Sequence, residues 1–168
     1  MKTLFILRHA KSSWNDGNLA DFDRPLNSRG LDEAAFMGTW IYQNEIQPDL
    51  FISSPAKRAK QTAILVRETG QIAAQIQYDE RIYEASPLTL LNILTEIDDK
   101  NERVLLIGHN PGFEGLIKLL TKELLALPTA AFAKINLRIE KWNETAPGTG
   151  AMELLMYPHH EIRTFKAD

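Results

Sequence analysis

The chain has 168 residues, 44% hydrophobic and 24% charged, with 19 basic against 22 acidic residues and a formal net charge of −3. That length suits one well-buried domain over residues 1–168, and the negative balance excludes nucleic-acid binding driven by bulk charge. The sequence contains no cysteine, which excludes disulfides, thiolate metal sites and a cysteine nucleophile.

The N-terminal stretch "MKTLFILRHA" carries one lysine and an apolar run that Arg8 ends directly after Leu7. The run is too short for a signal-peptide core, and no segment approaches the roughly 20 apolar residues of a membrane span. The expectation is a cytoplasmic protein without membrane association. "TLFIL" (3–7) is continuous and β-rich, as in a strand covered on both faces. It runs into "LRHAKSSW" (7–14), where Arg8 and His9 are followed by Lys11 and two hydroxyls.

After "DFDRPLNSRG", Asn27 or Ser28 caps a first helix whose Leu31, Ala34, Ala35, Gly38 and Ile41 share one face. "LFISS" (50–54) reads as a second strand. The spacing of Ala59, Thr62, Ala63 and Val66 then predicts a helix over 56–69, ended by Gly70. "QIQYDE" (75–80) is a weaker strand. "SPLTLLNILTEI" follows, with Ser86 as N-cap and Pro87 at the first helical position. "VLLIG" (104–108) is a further buried strand, ending in Gly108, His109 and Asn110, and "GFEGLIKLLTKEL" is a fourth helix.

The last third changes character. "AAFAKINLRIE" alternates, with Ala133, Ile135, Leu137 and Ile139 on one face and Lys134, Asn136, Arg138 and Glu140 on the other. This is a half-exposed strand, expected near a sheet edge. The turn-rich "KWNETAPGTG" then links it to "AMELLMY" as a hairpin. The whole reads as a three-layer α/β/α sandwich, a mostly parallel mixed sheet with an antiparallel margin.

Ligands on such sheets bind beyond the carboxyl ends of the strands. Arg8-His9, Ser53-Ser54 before Arg58, and Gly108-His109-Asn110 all fall at such ends. Arg58, on the first turn of its helix, opposes the helix dipole, a placement that makes sense if an anion lies nearby. Taken singly, each of these residues reads more readily as part of a solvated strand end or a tight turn, or as a surface cation.

"LRHAKSSW", "DRPLNSRG", "SSPAKRAKQTA", "YEAS" and "IGHNPG", in this order, together resemble the histidine phosphatase superfamily, with its phosphoglycerate-mutase-like fold. The wording is most similar to the compact SixA-type branch of phosphohistidine phosphatases. The resemblance implies roles. His9 would be the nucleophile and carry the phosphoryl group, a task that suits an imidazole because it is neutral near pH 7 and its phosphoramidate hydrolyses. Arg8, Arg58 and a protonated His109 would surround the phosphoryl oxygens, with no metal and no cofactor needed. Glu84 would be the general acid, or else merely precede a helix start. Lys11, Ser12 and Asn15 would add donors, or only frame the turn. Ala10 stands where many members of the superfamily have glycine, while the SixA-type branch commonly resembles the alanine version.

Asp23 and Arg24 are expected to pin the loop over the site by an ion pair. His159 and His160 are expected to be surface residues rather than metal ligands. The intervals from Arg58 to Glu84 and from Glu84 to His109 leave no spare length for a lid, so the site should be open. That points to a protruding phosphoryl donor, a histidine-phosphorylated protein, as substrate and partner. A small-molecule phosphomonoesterase and a non-catalytic phosphate-binding module are the alternatives.

Overall fold

The computed structural model describes residues 1–158 and 162–165. Its strands are β1 (Lys2–Arg8), β2 (Leu50–Ser53), β3 (Ile76–Tyr78), β4 (Arg103–Gly108), β5 (Phe132–Leu137), β6 (Gly150–Met156) and β7 (Ile162–Thr164). The helices are α1 (Ser28–Gln43), α2 (Lys57–Thr69), α3 (Pro87–Thr95) and α4 (Gly112–Thr121). The strands form one sheet in the order β3-β2-β4-β1-β5-β6-β7. The pairs from β3 to β1 are parallel, and β5, β6 and β7 add an antiparallel margin. The expected layered α/β/α architecture is present.

Alternation along the central strands explains why they read as unbroken apolar runs. Leu4 and Ile6 of β1, with Val104 and Leu106 of β4, pack with Leu90 and Leu94 of α3 and Phe113 and Leu116 of α4. Phe5, Leu7, Leu105 and Ile107 point the other way, into a second core with Met37 and Ile41 of α1 and Ala59, Ala63 and Val66 of α2. Each face is dry, so neither could tolerate a polar alternate position. α1 and α2 pack closely because Gly38 lacks a side chain: a Cβ there would lie 1.8 Å from Thr69 Oγ1.

The helix starts follow their capping chemistry. Asn27 is the N-cap of α1, its side chain accepting from the Gly30 N–H at 2.8 Å. Ser86 caps α3 by accepting from the Thr89 N–H at 3.2 Å, with Pro87 in the first turn. Two readings need correction. Leu31 is exposed, and Met37 takes its place in the buried stripe of α1. β5 is not near an edge, since it lies between β1 and β6. Its alternation has another cause: Lys134 and Asn136 are only partly buried and both bond Glu153 of β6, and Lys134 and Glu153 line an open hollow beside Trp40 of α1. No helix among the described residues is long and apolar enough to cross a membrane. His159 and His160 lie outside the described residues.

Candidate active site

β1 and β4 are adjacent and parallel, with Arg8 paired to Gly108. The two chain segments therefore leave the sheet side by side, and the rings of His9 and His109 come within 5.1 Å, centroid to centroid. β2 lies on the other side of β4 and delivers Ser53, Ser54 and, through the first turn of α2, Arg58. Three strand ends thus converge, as expected from the sequence. The anchoring is backbone-deep. The His9 N–H bonds the Gly108 carbonyl at 3.0 Å, and the Ala10 N–H bonds Thr62 Oγ1 at 3.0 Å. The Thr62 hydroxyl in turn donates to the Arg58 carbonyl at 2.7 Å. Gly30 lets the segment after His9 seat on the start of α1, because a Cβ there would lie 2.0 Å from the Lys11 carbonyl oxygen.

His9 is buried, and its Nδ1 lies 2.7 Å from its neighbour's carbonyl, Ala10 O. A carbonyl can only accept, so Nδ1 carries the proton and Nε2 keeps its lone pair. Burial is the main reason that His9 is held in the neutral form, its pKa lowered to about 3, with His109, Arg58 and Arg8 nearby pushing in the same direction. His109 is also buried, and its Nε2 lies 2.8 Å from Ser54 Oγ. Burial first and Arg58 second lower its pKa to about 4. In the free protein His109 is therefore neutral; the imidazolium expected from the sequence belongs to the state with a phosphate dianion beside it, whose charge would raise the pKa.

The guanidinium of Arg8 is held by the Leu127 carbonyl at 3.1 Å, and burial lowers its pKa. Among the described residues two buried side-chain polar atoms lack a hydrogen-bond partner, Arg8 Nε and His109 Nδ1. Both belong to this cluster. Ser54 Oγ already accepts the Ala56 N–H at 3.2 Å, so its own hydrogen is free to donate to Nε2. In the tautomer this gives, His109 carries its proton on Nδ1 and two buried N–H donors await an acceptor. A desolvated donor left unmade costs about 1–3 kcal/mol, so a site that keeps two is shaped for an oxyanion.

Arg58 has the anion that its position on α2 called for. Asp21, in a 3-10 turn (Asp21–Asp23), accepts from Arg58 NH2 through Oδ2 at 3.0 Å and from NH1 through its carbonyl at 2.7 Å. The Tyr83 hydroxyl donates to the same Oδ2 at 2.6 Å, and Arg24 NH1 donates to Oδ1 at 2.8 Å. The Tyr83 bond, with the Arg24 and Arg58 contacts, holds the Asp21 carboxyl down at about 2. Burial and that same carboxylate push Tyr83 up to about 12. Arg24 does pin the loop, through Ser12 Oγ, the Ser13 carbonyl at 3.1 Å and the Trp14 ring stacked over its guanidinium. Its acidic partner is Asp21, not Asp23.

The other sequence candidates divide. Lys11 and Ser12 line a hollow of about 280 Å³ with Arg8, His9, Arg58 and His109. The Lys11 ammonium has no partner among the described residues, while the Ser12 hydroxyl is taken by Arg24. Asn15 sits on the exposed loop outside that lining. Glu84 lines an adjoining groove of about 840 Å³ rather than the hollow. It is exposed, without a hydrogen bond or ion pair among the described residues, and held at φ 54°. Sequence reasoning missed Asp21, Tyr83 and the Ser54–His109 contact. The dipole-opposed Arg58 was the one available signal for Asp21.

The model of the histidine phosphatase superfamily (branch 1) matches residues 4–88. The chain belongs to that superfamily. Rv1276c of Mycobacterium tuberculosis, an uncharacterized protein, is 34% identical over 154 residues, 91% of this chain and 89% of its own length. An Agrobacterium tumefaciens structure provisionally assigned as the phosphohistidine phosphatase SixA superposes with a TM-score of 0.81 at 26% identity, covering 94% and 98% of the two chains. The protein histidine phosphatase SixA in complex with tungstate gives a TM-score of 0.80 at 22% identity over 94% and 97%. This superfamily member is thus SixA-like in structure. The match spans His9, Arg58 and Glu84, and His109 follows at the next strand end.

Proposed function

We propose that this protein is a phosphatase acting on phosphohistidine of other proteins, through a phosphoryl intermediate on His9 Nε2. The observation that carries the reading is the pair of buried, unpartnered donors, Arg8 Nε and His109 Nδ1, set around a histidine whose Nε2 lone pair is free. In the first step Nε2 attacks phosphorus in line, the Nε2–P bond forms, and the P–N bond to the substrate imidazole breaks. The electron pair leaves with that imidazole, which is protonated by solvent or by Glu84. Water then attacks phosphorus, the Nε2–P bond breaks, inorganic phosphate departs, and the proton of the water passes to Glu84 or to solvent. Arg8, Arg58 and His109 stabilise the charge on the equatorial oxygens through both steps.

The open groove and the untethered Glu84 favour a phosphoramidate donor. An imidazole leaves readily once protonated, whereas an alkoxide depends on a well-placed acid. The test is trapping. Incubation of the protein with a labelled phosphoryl donor should give an alkali-stable, acid-labile phosphoenzyme that is lost in His9→Ala. Phosphohistidine peptides should also turn over faster than sugar phosphates, with Glu84→Gln affecting the peptides far less. Label that persists in His9→Ala, or phosphomonoesters that are far better substrates and depend wholly on Glu84, would overturn the proposal.

A further inference from the structure

The charges around the site are sorted by side. The hollow that holds His9 collects Arg8, Lys11, Arg24 and Arg58, with Asp21 as its one carboxylate among the lining residues. The adjoining groove shares Asp21, Arg58, His109 and Asn110 with the hollow but not His9. The groove also holds Glu84, the proton donor assigned to the leaving group, so the leaving group is placed on this side. There the sign reverses. Among the described lining residues, two carboxylates, Asp21 and Glu84, stand against one cationic side chain, Arg58, so the lining carries one net negative charge even with Arg58 paired to Asp21. The remaining lining is neutral, with the Tyr83 ring 5.6 Å from that of His109 and with Ala85 and Pro87 beside it.

From this we infer that Asp21 is a specificity-determining residue, which together with Glu84 makes the leaving-group side of the site anionic, so that it accepts phosphoryl groups on cationic or neutral carriers and turns away carriers bearing a second anion. The inference deepens the proposed function and rests on its placement of the phosphoryl group beside His9. A protonated imidazole is such a carrier; a phosphorylated hydroxy acid is not. Asp21 cannot serve as a proton donor in this arrangement, because the groups that bond it keep it ionised down to about pH 2. It acts through its fixed charge, and a fixed like charge facing a ligand lowers affinity by about fivefold or more at groove distances.

The test uses non-hydrolysable phosphonates, so it does not depend on turnover. Binding of phenylphosphonate, its para-carboxylate and its para-trimethylammonium derivative is measured by calorimetry on the full chain. The wild type should favour the ammonium over the carboxylate derivative by tenfold or more. Asp21→Asn should shrink that ratio at least threefold, and Asp21→Glu should restore it. A loss of loop structure alone would weaken all three ligands together and leave the ratio unmoved. Glu84→Gln, which breaks no hydrogen bond, should also narrow the ratio and serves if Asp21→Asn does not fold. A wild type indifferent to the para charge, or a ratio untouched by these substitutions, overturns the inference while leaving a trapped His9 phosphoenzyme intact. A wild type that fails to bind phenylphosphonate overturns the phosphoryl pocket and the inference with it.

Discussion

An imidazole that gives its Nδ1 proton to the carbonyl next door has one lone pair left, and in His9 that lone pair is on Nε2. The paired histidine is fixed by a different device, the hydroxyl of Ser54 at 2.8 Å from His109 Nε2. Ser54 is fully buried, and its Oγ also accepts the Ala56 N–H at 3.2 Å. Ser54→Ala would strand a buried ring nitrogen and free the tautomer of His109. We expect it to lower kcat/KM on an aryl phosphate by about tenfold and Tm by a few degrees, since it removes buried hydrogen bonds both to the ring and to the Ala56 N–H. Steady-state kinetics beside a thermal melt check this. At this scale Arg8, His9, Arg58 and His109 were legible as candidates only through the ordered combination of motifs, because each alone suits a solvated strand end or a turn, and the fold brings the four side chains together. The sequence did not disclose Asp21 or Tyr83, because a carboxylate in a polar loop and an aromatic before a helix look the same whether or not they meet. Only the fold brings Tyr83 within hydrogen-bonding distance of a residue 62 positions earlier.

Elements hold these side chains through α4. Glu114, in its first turn, accepts through Oε1 from Asn110 Nδ2 and from the Leu127 N–H, both at 2.9 Å. The Leu127 carbonyl then accepts from Arg8 NH1 at 3.1 Å and from Asn110 Nδ2 at 2.8 Å. One helical carboxylate thereby ties the segment after β4 to the segment before β5 and steadies Arg8 between them. Glu114→Ala should cost about 2 kcal/mol in urea unfolding and lower activity, whereas Glu114→Gln, which keeps the accepting oxygen, should keep most of both. Equal losses in the two variants would mean that charge, not the shared acceptor, holds the brace. The helix itself was legible from its apolar spacing; its brace was not, since a glutamate in a first turn already has a reason to be there in the helix dipole. The placement of β5 failed for a related reason. Alternation reports which face is covered, and an interior strand with one face partly open alternates as an edge strand does.

For the molecule as a whole, the two buried histidines couple stability to pH. Their pKa values fall from the unfolded value of about 6.5 to about 3 for His9 and about 4 for His109, chiefly through burial. Between those values and 6.5 the unfolded chain binds more protons than the native one, so stability is complete above about pH 6.5 and drains away as pH falls. Each histidine accounts for up to about 2 kcal/mol of loss between pH 6.5 and 5, and His9→Asn should flatten that slope. A dianion in the hollow reverses the sign locally, because its charge beside His109 favours the imidazolium. Sulfate is the suitable probe, since it stays doubly charged over this range. Its affinity should rise as pH falls from 7 to 5, and calorimetry in buffers of different ionisation enthalpy should show net proton uptake on binding. With His109→Asn the uptake should vanish and the affinity become nearly flat with pH. Uptake that survives the substitution would move the proton to another group, and would leave His109 acting as a neutral Nδ1–H donor in the bound state as well as in the free one.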